Sequence, residues 1–377
     1  MLMTRISRAF SITLVALPLV AGRAAGQVTL PNDNTAYGTT SGEFLLLGAS
    51  ARGTALGGAY AALSTDVSAL YYNPAGVAQL DHAGAMVSTY SYVADTRYTW
   101  AGMAFPMSGG ARSFGFQVGN FGFSNQPVYT ADQPDGTGGT YNVAETFAGA
   151  TYAQNFSDRF SAGFTAKIVS DKLGEATGSA FALDFGTSFH VSTANRPIRA
   201  SFVIQNLGTT LKHNGVPLDV TATRPPVPGQ VDVPQEAQPA SLKTKDWNLP
   251  VMFRVGLALD AVASEQARVT LLSEFNQPNN NKAGFELGGE VALSDIGKSG
   301  FFVAGRGSWN FQPANNLDVG NQAGFATGLS GKESQQGLAA GFGVGYKKSA
   351  FGLGFDYAWR SLGVLGSTNF LSFVVAW

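Results

Sequence analysis

The sequence predicts an all-β membrane protein, an antiparallel transmembrane β-barrel of about fourteen strands with a short N-terminal helical hatch. Three observations lead to this prediction: a composition poor in charge, an alternation of large apolar with small residues, and the placement of the long connections. We accordingly divide the chain into a signal peptide at 1–26, an N-terminal segment with the luminal hatch at 27–82, and the barrel at 83–377.

The first 26 residues have the order of a secretory signal peptide. Arg5 and Arg8 come before a short apolar run at 12–20, and small residues follow at 24–26. The run is about half of the ~20 residues that a membrane-spanning helix needs, and it contains Pro18. We therefore expect cleavage after Gly26, export, and a final location in the outer membrane of a Gram-negative type of envelope.

The composition is unusual for a soluble exported protein. Only 13% of the residues are charged, about half of the ~25% in a typical soluble domain. The chain has 47 glycines and 27 phenylalanines but no cysteine, so it has neither disulfides nor a thiolate metal site. A net charge of −1 gives no basic surface for nucleic acid. This mixture suits a barrel whose outer face contacts lipid.

Alternation with a period of two recurs along the chain. In "FGLGFDYAWR" at 351–360, an aromatic residue or leucine at every second position is separated by glycine, alanine or a charged residue. The same pattern appears at 160–168, 181–186 and 251–260. Period two places each set on one face of a sheet. A soluble sandwich would need polar residues on the opposite face, whereas here that face is mostly small.

Fourteen segments read as strands, an even number as in bacterial single-chain barrels. They lie at 83–91, 97–106, 112–121, 141–155, 159–170, 178–191, 198–207, 249–260, 267–276, 282–293, 299–309, 335–347, 349–360 and 368–377. The longest connections, at 122–140, 208–248 and 310–334, all follow odd-numbered strands. If both ends of the barrel are periplasmic, these long connections face outside and the short ones face the periplasm, which is typical of outer-membrane barrels.

The chain ends on "NFLSFVVAW", with apolar residues at every second position and Trp377 as the last residue. A closed barrel pairs its last strand with its first, because an unpaired edge is not tolerated in hydrocarbon. A terminal tryptophan fits the aromatic girdle at a membrane boundary.

Residues 44–80 do not alternate, and they predict two short helices. The first covers 67–71 and is capped by one of residues 64–66; the second is capped by Asn73, with Pro74 in its first turn. Glycines at 53, 57 and 58 are expected to supply bends. A compact segment ahead of a barrel fits in the lumen, so we predict a hatch with the motif Asn73, Pro74, Ala75 and Gly76. An ordinary cap and turn with no role beyond folding is the alternative.

Ten charged residues share the inward face of the predicted strands, since a charge facing lipid costs ~2–4 kcal/mol near the midplane. They are Lys167, Asp184, Arg254, Asp260, Glu274, Glu286, Glu290, Arg306, Asp356 and Arg360. We predict that they form a luminal charge network that joins the wall to the hatch, with a polar path for solute as the alternative.

The stretch "GEFLLLGASARGTALGGAYAALSTDVSALYYNPAGVAQL" closely resembles the opening of the PorV/PorQ family of outer-membrane proteins, which is related to the FadL-like transporters. "SFVIQNLGTTL", "FELGGEVAL" and "FGLGFDYAW" agree in order further along the chain. The resemblance implies a fourteen-stranded FadL-like barrel and a role in type IX secretion. The region 212–247, with prolines at 225, 226 and 228, departs from the family pattern.

The sequence is compatible with three functions. The resemblance implies a non-enzymatic secretion component whose outer loops bind secreted cargo or a translocon. A FadL-like channel for uptake of hydrophobic small molecules is the alternative. A membrane enzyme has little support, because the three histidines, His82, His190 and His213, accompany no serine-centred elbow. We expect contact with outer-membrane lipid, a hydrophobic ligand in the channel case, and no cofactor, metal site or nucleic-acid partner.

Overall fold

A computed structural model describes residues 36–193, 196–223, 237–311, 337–349 and 351–377 of the chain. The predicted signal peptide at 1–26 and the prolines at 225, 226 and 228 lie outside these residues. Fourteen antiparallel strands close into a barrel, as the sequence predicts. Within the described ranges, no helix is both long and apolar enough to cross a membrane.

The fourteen barrel strands are numbered in chain order. They are β1 Gly84–Ser91, β2 Arg97–Met107, β3 Arg112–Pro127, β4 Thr140–Ser157, β5 Phe160–Leu173, β6 Ala176–Thr193, β7 Arg196–Gly208, β8 Met252–Ala263, β9 Ala267–Pro278, β10 Gly284–Leu293, β11 Phe301–Phe311, β12 Leu338–Lys348, β13 Phe351–Ser361 and β14 Ser367–Ala376.

The barrel closes between its first and last strands. Strand β1 pairs with β14 from Gly84 opposite Ala376 to Tyr90 opposite Phe370. Every other strand pairs with its neighbour in sequence, including β7 with β8 across the longest connection. Closure leaves no free strand edge, which is the condition for a sheet in hydrocarbon.

The two faces of the wall differ as the alternation predicts. On β13, Phe351 and Leu353 are 47% and 46% exposed on the outside, whereas Ala358 and Asp356 are buried on the inside. Large apolar side chains cover the outer face of the other strands in the same way, with Ile168 on β5 reaching 66% exposure. An outward apolar belt with a polar, crowded interior is the arrangement of membrane barrels.

The connections also follow the prediction. Those after β3 and β7 run over 128–139 and 209–251, and the one after β11 runs over 312–337, mostly outside the described residues. We call this end of the barrel the long-connection end, and the other the short-turn end. In the connection after β7, two four-residue strands pair, Asp219–Ala222 with Gln238–Ser241, and His213–Asn214 pairs with β6.

Residues 43–80, which precede β1, lie inside the barrel, and we call them the hatch. It contains two short α-helices, α1 Ala51–Ala55 and α2 Ala69–Tyr72, and two 3₁₀ helices, Glu43–Leu46 and Pro74–Gln79. The sequence predicted α2 and the 3₁₀ helix Pro74–Gln79 but expected a bend at Gly53. Instead Gly53 lies within α1, because the Ser50 hydroxyl accepts from its N–H at 3.1 Å and caps the helix.

Candidate functional site: the hatch and the luminal cavity

The Asn73 side chain organises the turn between α2 and the following 3₁₀ helix. Its Oδ1 accepts from the N–H of Ala75 at 3.1 Å, the capping bond predicted from the sequence. Its Nδ2 donates to the carbonyl of Ala61 at 3.0 Å and to that of Thr187, on β6, at 3.1 Å. The amide is fully buried. One side chain thus joins two parts of the hatch to the barrel wall.

Two wall glycines make room for this turn. Gly163 on β5 and Gly186 on β6 are direct register partners. A Cβ on Gly163 would lie 2.4 Å from the carbonyl carbon of Pro74, and one on Gly186 would lie 2.2 Å from Asn73 Oδ1. Any side chain at either position would displace the turn. The close approach of hatch and wall therefore depends on glycine at both positions.

Wall amides satisfy the carbonyl groups at the end of α2. Gln117 on β3 donates Nε2 to the carbonyl of Leu70 at 2.6 Å, and Gln205 on β7 donates to that of Tyr71. Trp100 donates to Gln117 Oε1 at 3.1 Å and fixes its orientation. Since the last carbonyls of a helix have no partner within it, these bonds dock the end of α2 to two separate strands of the wall, β3 and β7.

The hatch is also held at the short-turn end. Asn155, at the end of β4, donates Nδ2 to the carbonyl of Ala78 at 2.7 Å and to that of Gly110 at 2.9 Å. Gln79 donates to the hydroxyls of Ser188 at 3.0 Å and Ser161 at 3.2 Å. The last turn of the hatch therefore lies against the short turns after β2 and β4.

Nine of the ten predicted luminal charges are buried on the inner face and Arg360 is partly exposed there. They do not form one network but several separate groups. Arg254 on β8 donates to Glu274 at 3.1 Å and to Gln205 at 2.8 Å. Glu274 in turn accepts from the N–H of Ala61 at 2.9 Å, which ties this group to the hatch.

A second group stabilises an irregularity in the wall. Lys167 Nζ on β5 lies 2.7 Å from Asp184 Oδ1 on β6, and both side chains are buried. The β6–β7 register shifts at Asp184, and Asn206 takes a positive φ of 62° opposite it. The Asn206 N–H donates to Asp184 Oδ1 at 2.8 Å. This group belongs to the wall, where it compensates a β-bulge.

A third group runs from the hatch into the wall. Glu290 on β10 accepts from Arg52 of the hatch and from Arg306 on β11, the latter at 2.6 Å. Arg306 also donates to Asp356 at 2.5 Å, and Arg52 donates to Asp66 at 3.1 Å. Opposite charges thus alternate across three strands and the hatch. Asp260, by contrast, pairs within the wall with Arg199.

A cavity of about 410 Å³ lies between the hatch and the long-connection end. One side of it is apolar and aromatic, with Phe44, Leu47, Tyr90, Phe121 and Phe370 among its lining. The Tyr90 and Phe370 rings are 3.7 Å apart between centroids and form a continuous aromatic surface.

The other side of the cavity is polar, and it is lined by Thr54, Tyr72, Arg254, Asn276, Glu286, Asn310 and Arg360. Burial raises the pKa of the Tyr72 phenol, so this hatch side chain remains a neutral hydroxyl. The cavity can hold one small molecule with an apolar body and a polar end. Among the described residues, no group of three or more histidine, aspartate or glutamate side chains could hold a metal ion.

Sequence reasoning missed Arg52 of the hatch and the wall amides Gln117, Gln205 and Asn155, and it gave Asp66 only as a candidate helix cap. Gln117 stands at an inward-facing position in the alternation of β3. A search for inward-facing polar residues that included uncharged amides would have found it. Arg52 offered no such signal, because the periodicity of a short helix does not show which wall residue it meets.

The chain matches no protein-family model and no curated protein sequence. Solved structures do resemble it. The CymD monoaromatic hydrocarbon channel aligns with a TM-score of 0.53 at 12% identity, over 88% of this chain and 97% of that one. The Pseudomonas putida toluene transporter TodX aligns with a TM-score of 0.50 at 12% identity, over 87% and 97%. A TodX deltaS2S3 mutant aligns with a TM-score of 0.51 at 11% identity, over 87% of this chain and 98% of that one. At such low identity, these structural alignments show a shared fold.

Proposed function

We propose that this protein is a non-enzymatic outer-membrane channel for the uptake of small, largely hydrophobic molecules. The observation that carries the proposal is the aromatic-lined cavity of about 410 Å³ between the hatch and the long-connection end. Its size suits a single small ligand. The shared fold with a monoaromatic hydrocarbon channel and a toluene transporter supports the same class of substrate.

The location follows from the wall. An apolar outer belt, full closure and long connections at one end fit an outer membrane, with the long-connection end outside. The cavity would then be reached from outside, and the hatch would separate it from the periplasm. Export by a cleaved signal peptide at 1–26 is part of the proposal.

An uptake assay in cells with an intact outer membrane tests the channel. N-phenylnaphthylamine fluoresces when it passes the lipopolysaccharide layer, so the rate of its fluorescence increase reports entry. We expect a rate several-fold above that of cells without the protein. Leu47→Trp would fill part of the cavity and lower the rate. Leu371→Trp, on the lipid face of β14, is the matched control and would leave it unchanged. A rate equal to that of cells lacking the protein would exclude the channel.

Binding of secreted cargo or a translocon is the second candidate function. The resemblance of 44–76 to PorV/PorQ proteins suggests it, and an observation at the long-connection end favours it. There, the described part of the connection after β7 exposes Val216 at 67% and Leu242 at 58%. These two side chains flank the paired strands Asp219–Ala222 and Gln238–Ser241, and loops held by a rigid scaffold often carry recognition.

Purification of tagged protein from solubilised outer membrane tests this second function. Co-purification of secreted proteins or of a large translocon barrel, and its loss in the Val216→Ser/Leu242→Ser variant, would support it. Leu371→Ser on the lipid face serves as the control. If no protein partner is found, the secretion role is excluded and the channel remains.

A further inference from the structure

Four buried polar atoms on the polar side of the cavity make no hydrogen bond of ordinary geometry among the described residues, although Tyr72 lies beside Ser50 and Thr54, and Glu286 lies beside Asn276. They are Thr54 Oγ1, Tyr72 OH, Asn276 Oδ1 and Glu286 Oε2. All four residues line the cavity, and each is more than nine-tenths buried. A buried polar atom without a partner is costly, so natural structures rarely keep several of them together. Their position in one cavity indicates a bound polar group.

Hatch glycines keep these atoms accessible from the cavity. A Cβ on Gly48 would lie 3.0 Å from Tyr72 OH and 3.1 Å from Thr54 Oγ1. A Cβ on Gly58 would lie 2.8 Å from Glu286 Oε2. Both glycines line the cavity. Space that a side chain would fill is therefore left open beside three of the four atoms.

The chemistry of these atoms selects the ligand group. Glu286 Oε1 already accepts from Asn310 Nδ2 at 2.8 Å, which leaves Oε2 as an acceptor. Asn276 Oδ1 can only accept, whereas the hydroxyls of Thr54 and Tyr72 can donate or accept. A hydroxyl group matches this set, because it donates one hydrogen bond and accepts others. A hydrocarbon would leave all four atoms without a partner.

A carboxylate fits this part of the cavity poorly, since it can only accept hydrogen bonds and so cannot pair with Asn276 Oδ1, which also only accepts. Arg254 is occupied by Glu274 and Gln205. Arg360 also lines the cavity, and in the part of the chain that the structure describes it forms no ion pair. A ligand carboxylate would therefore bind at Arg360 rather than at the four atoms.

We propose that Thr54, Tyr72, Asn276 and Glu286 form a subsite for the hydroxyl group of a small alcohol or phenol. The apolar body of the ligand lies against the aromatic side of the cavity, with Tyr90 and Phe370. This inference rests on the proposed channel function and narrows its substrates from hydrocarbons to hydroxylated molecules.

Three probes with the same propyl-substituted ring test the subsite: 4-propylphenol, propylbenzene and 4-propylbenzoate. Their binding is measured by calorimetry on the whole protein in lipid nanodiscs, and binding to empty nanodiscs is subtracted. We expect 4-propylphenol to bind about tenfold more tightly than propylbenzene, as two further hydrogen bonds would give. The benzoate is expected to bind more weakly than the phenol.

Two conservative variants locate the effect. Thr54→Val keeps the shape and removes the hydroxyl, and Glu286→Gln keeps the shape and replaces Oε2. Each should lower the preference for phenol over hydrocarbon by about threefold or more. Thr165→Val is the matched control, because its buried hydroxyl bonds to Thr151 in the wall and does not line the cavity. Heat-modifiable migration on gels shows whether each variant is folded. If Glu286→Gln does not fold, the result for Thr54→Val alone tests the subsite.

The outcomes separate the subsite from the channel. If none of the probes binds above empty nanodiscs, the proposed function fails together with the subsite. If propylbenzene binds as tightly as the phenol, or if Thr54→Val leaves the preference intact, the polar atoms hold only water and the subsite is overturned while the channel stands. If the benzoate binds most tightly and Arg360→Gln abolishes this, the ligand is a carboxylate and the subsite is likewise overturned.

Discussion

Arg52 of the hatch and Glu290 of β10 are joined by two parallel hydrogen bonds, from Nε to Oε2 at 2.9 Å and from Nη2 to Oε1 at 2.7 Å. The guanidinium fork matches the carboxylate geometry, so the pair fixes orientation as well as distance. Glu290 is also bonded to Arg306, which leaves the carboxylate little freedom to move. The other hatch–wall contacts described above involve amide, hydroxyl or backbone groups, whereas this pair is an ion pair between two charged side chains.

Replacement of Arg52 by leucine should loosen the hatch. The change leaves Glu290 with one of its two cationic partners, and loss of a partner from a buried pair costs about 3–5 kcal/mol. The Arg52 side chain is 21% exposed, so we expect the lower part of that range or somewhat less. The measurements are the denaturation temperature on gels and single-channel conductance in planar bilayers, where brief open events should become more frequent.

Arg199→Leu provides the control for this prediction. Arg199 pairs with Asp260 within the wall, and its side chain is 14% exposed. Its loss should lower stability without raising conductance. If both variants conduct alike, the Arg52–Glu290 pair is a general stabilising contact rather than an anchor of the hatch.

Gly186→Ala should prevent the Asn73 turn from docking. The added Cβ would lie 2.2 Å from Asn73 Oδ1 and 2.9 Å from Pro74 Cδ, so the turn must shift. The shift would break the Asn73 bonds to Ala61 and Thr187, at a cost of about 2–4 kcal/mol for two buried hydrogen bonds. Limited proteolysis from the short-turn end, on protein in lipid vesicles, should then cleave the hatch faster.

The matched substitution is Gly305→Ala on β11, where a Cβ would have no neighbour within 4 Å. This variant should resist proteolysis like the parent protein. Equal resistance of Gly186→Ala would show that the wall adjusts at this position, and that the glycine is not required for docking.

The barrel was predictable because each strand carries its own signal. Alternation along a single strand such as β13 shows which residues face outward, and connection length shows which end each loop occupies. Even the cap at Asn73 was local, since the capping bond reaches only two residues along the chain. Period-two patterns and caps depend on neighbours in sequence, so one sequence suffices to find them.

The site was less predictable because its contacts join distant parts of the chain. Parity placed Arg254 and Glu290 inside but gave no indication that they belong to different groups. Arg52 meets Glu290 across 238 positions, and only the packing of α1 against the wall determines that contact. The cavity likewise depends on how the hatch is seated, which no local pattern encodes.

Lys167→Met should destabilise the wall more than the double variant Lys167→Met/Asp184→Leu. The single change leaves the buried Asp184 carboxylate without its ion pair, at a cost of about 3–5 kcal/mol, whereas removal of both charges avoids the unpaired charge. Chemical denaturation in lipid vesicles measures the free energy of unfolding. The double variant still loses the bond from the Asn206 N–H. Its free energy of unfolding should therefore lie between those of the parent protein and the single variant.

If the double variant proves as unstable as Lys167→Met, the main role of Asp184 is to accept from Asn206 at the bulge, and the charge pair adds little. Thr165→Val, on the same inner face of β5, controls for loss of a neutral buried polar group.

Ile168→Lys should prevent stable insertion, although Lys167 stands next to it. The two residues point to opposite faces of β5: Ile168 is 66% exposed on the outer face, whereas Lys167 is buried against Asp184. A lysine facing lipid near the midplane costs about 2–4 kcal/mol, and near the interface about 0–1 kcal/mol. Phe160→Lys, on the same face at the first residue of β5, should therefore be tolerated. The folded fraction after assembly into vesicles, measured by gel migration, compares the two variants. Equal yields would mean that the apolar belt does not contact lipid, because depth in a membrane is the property that distinguishes these two positions.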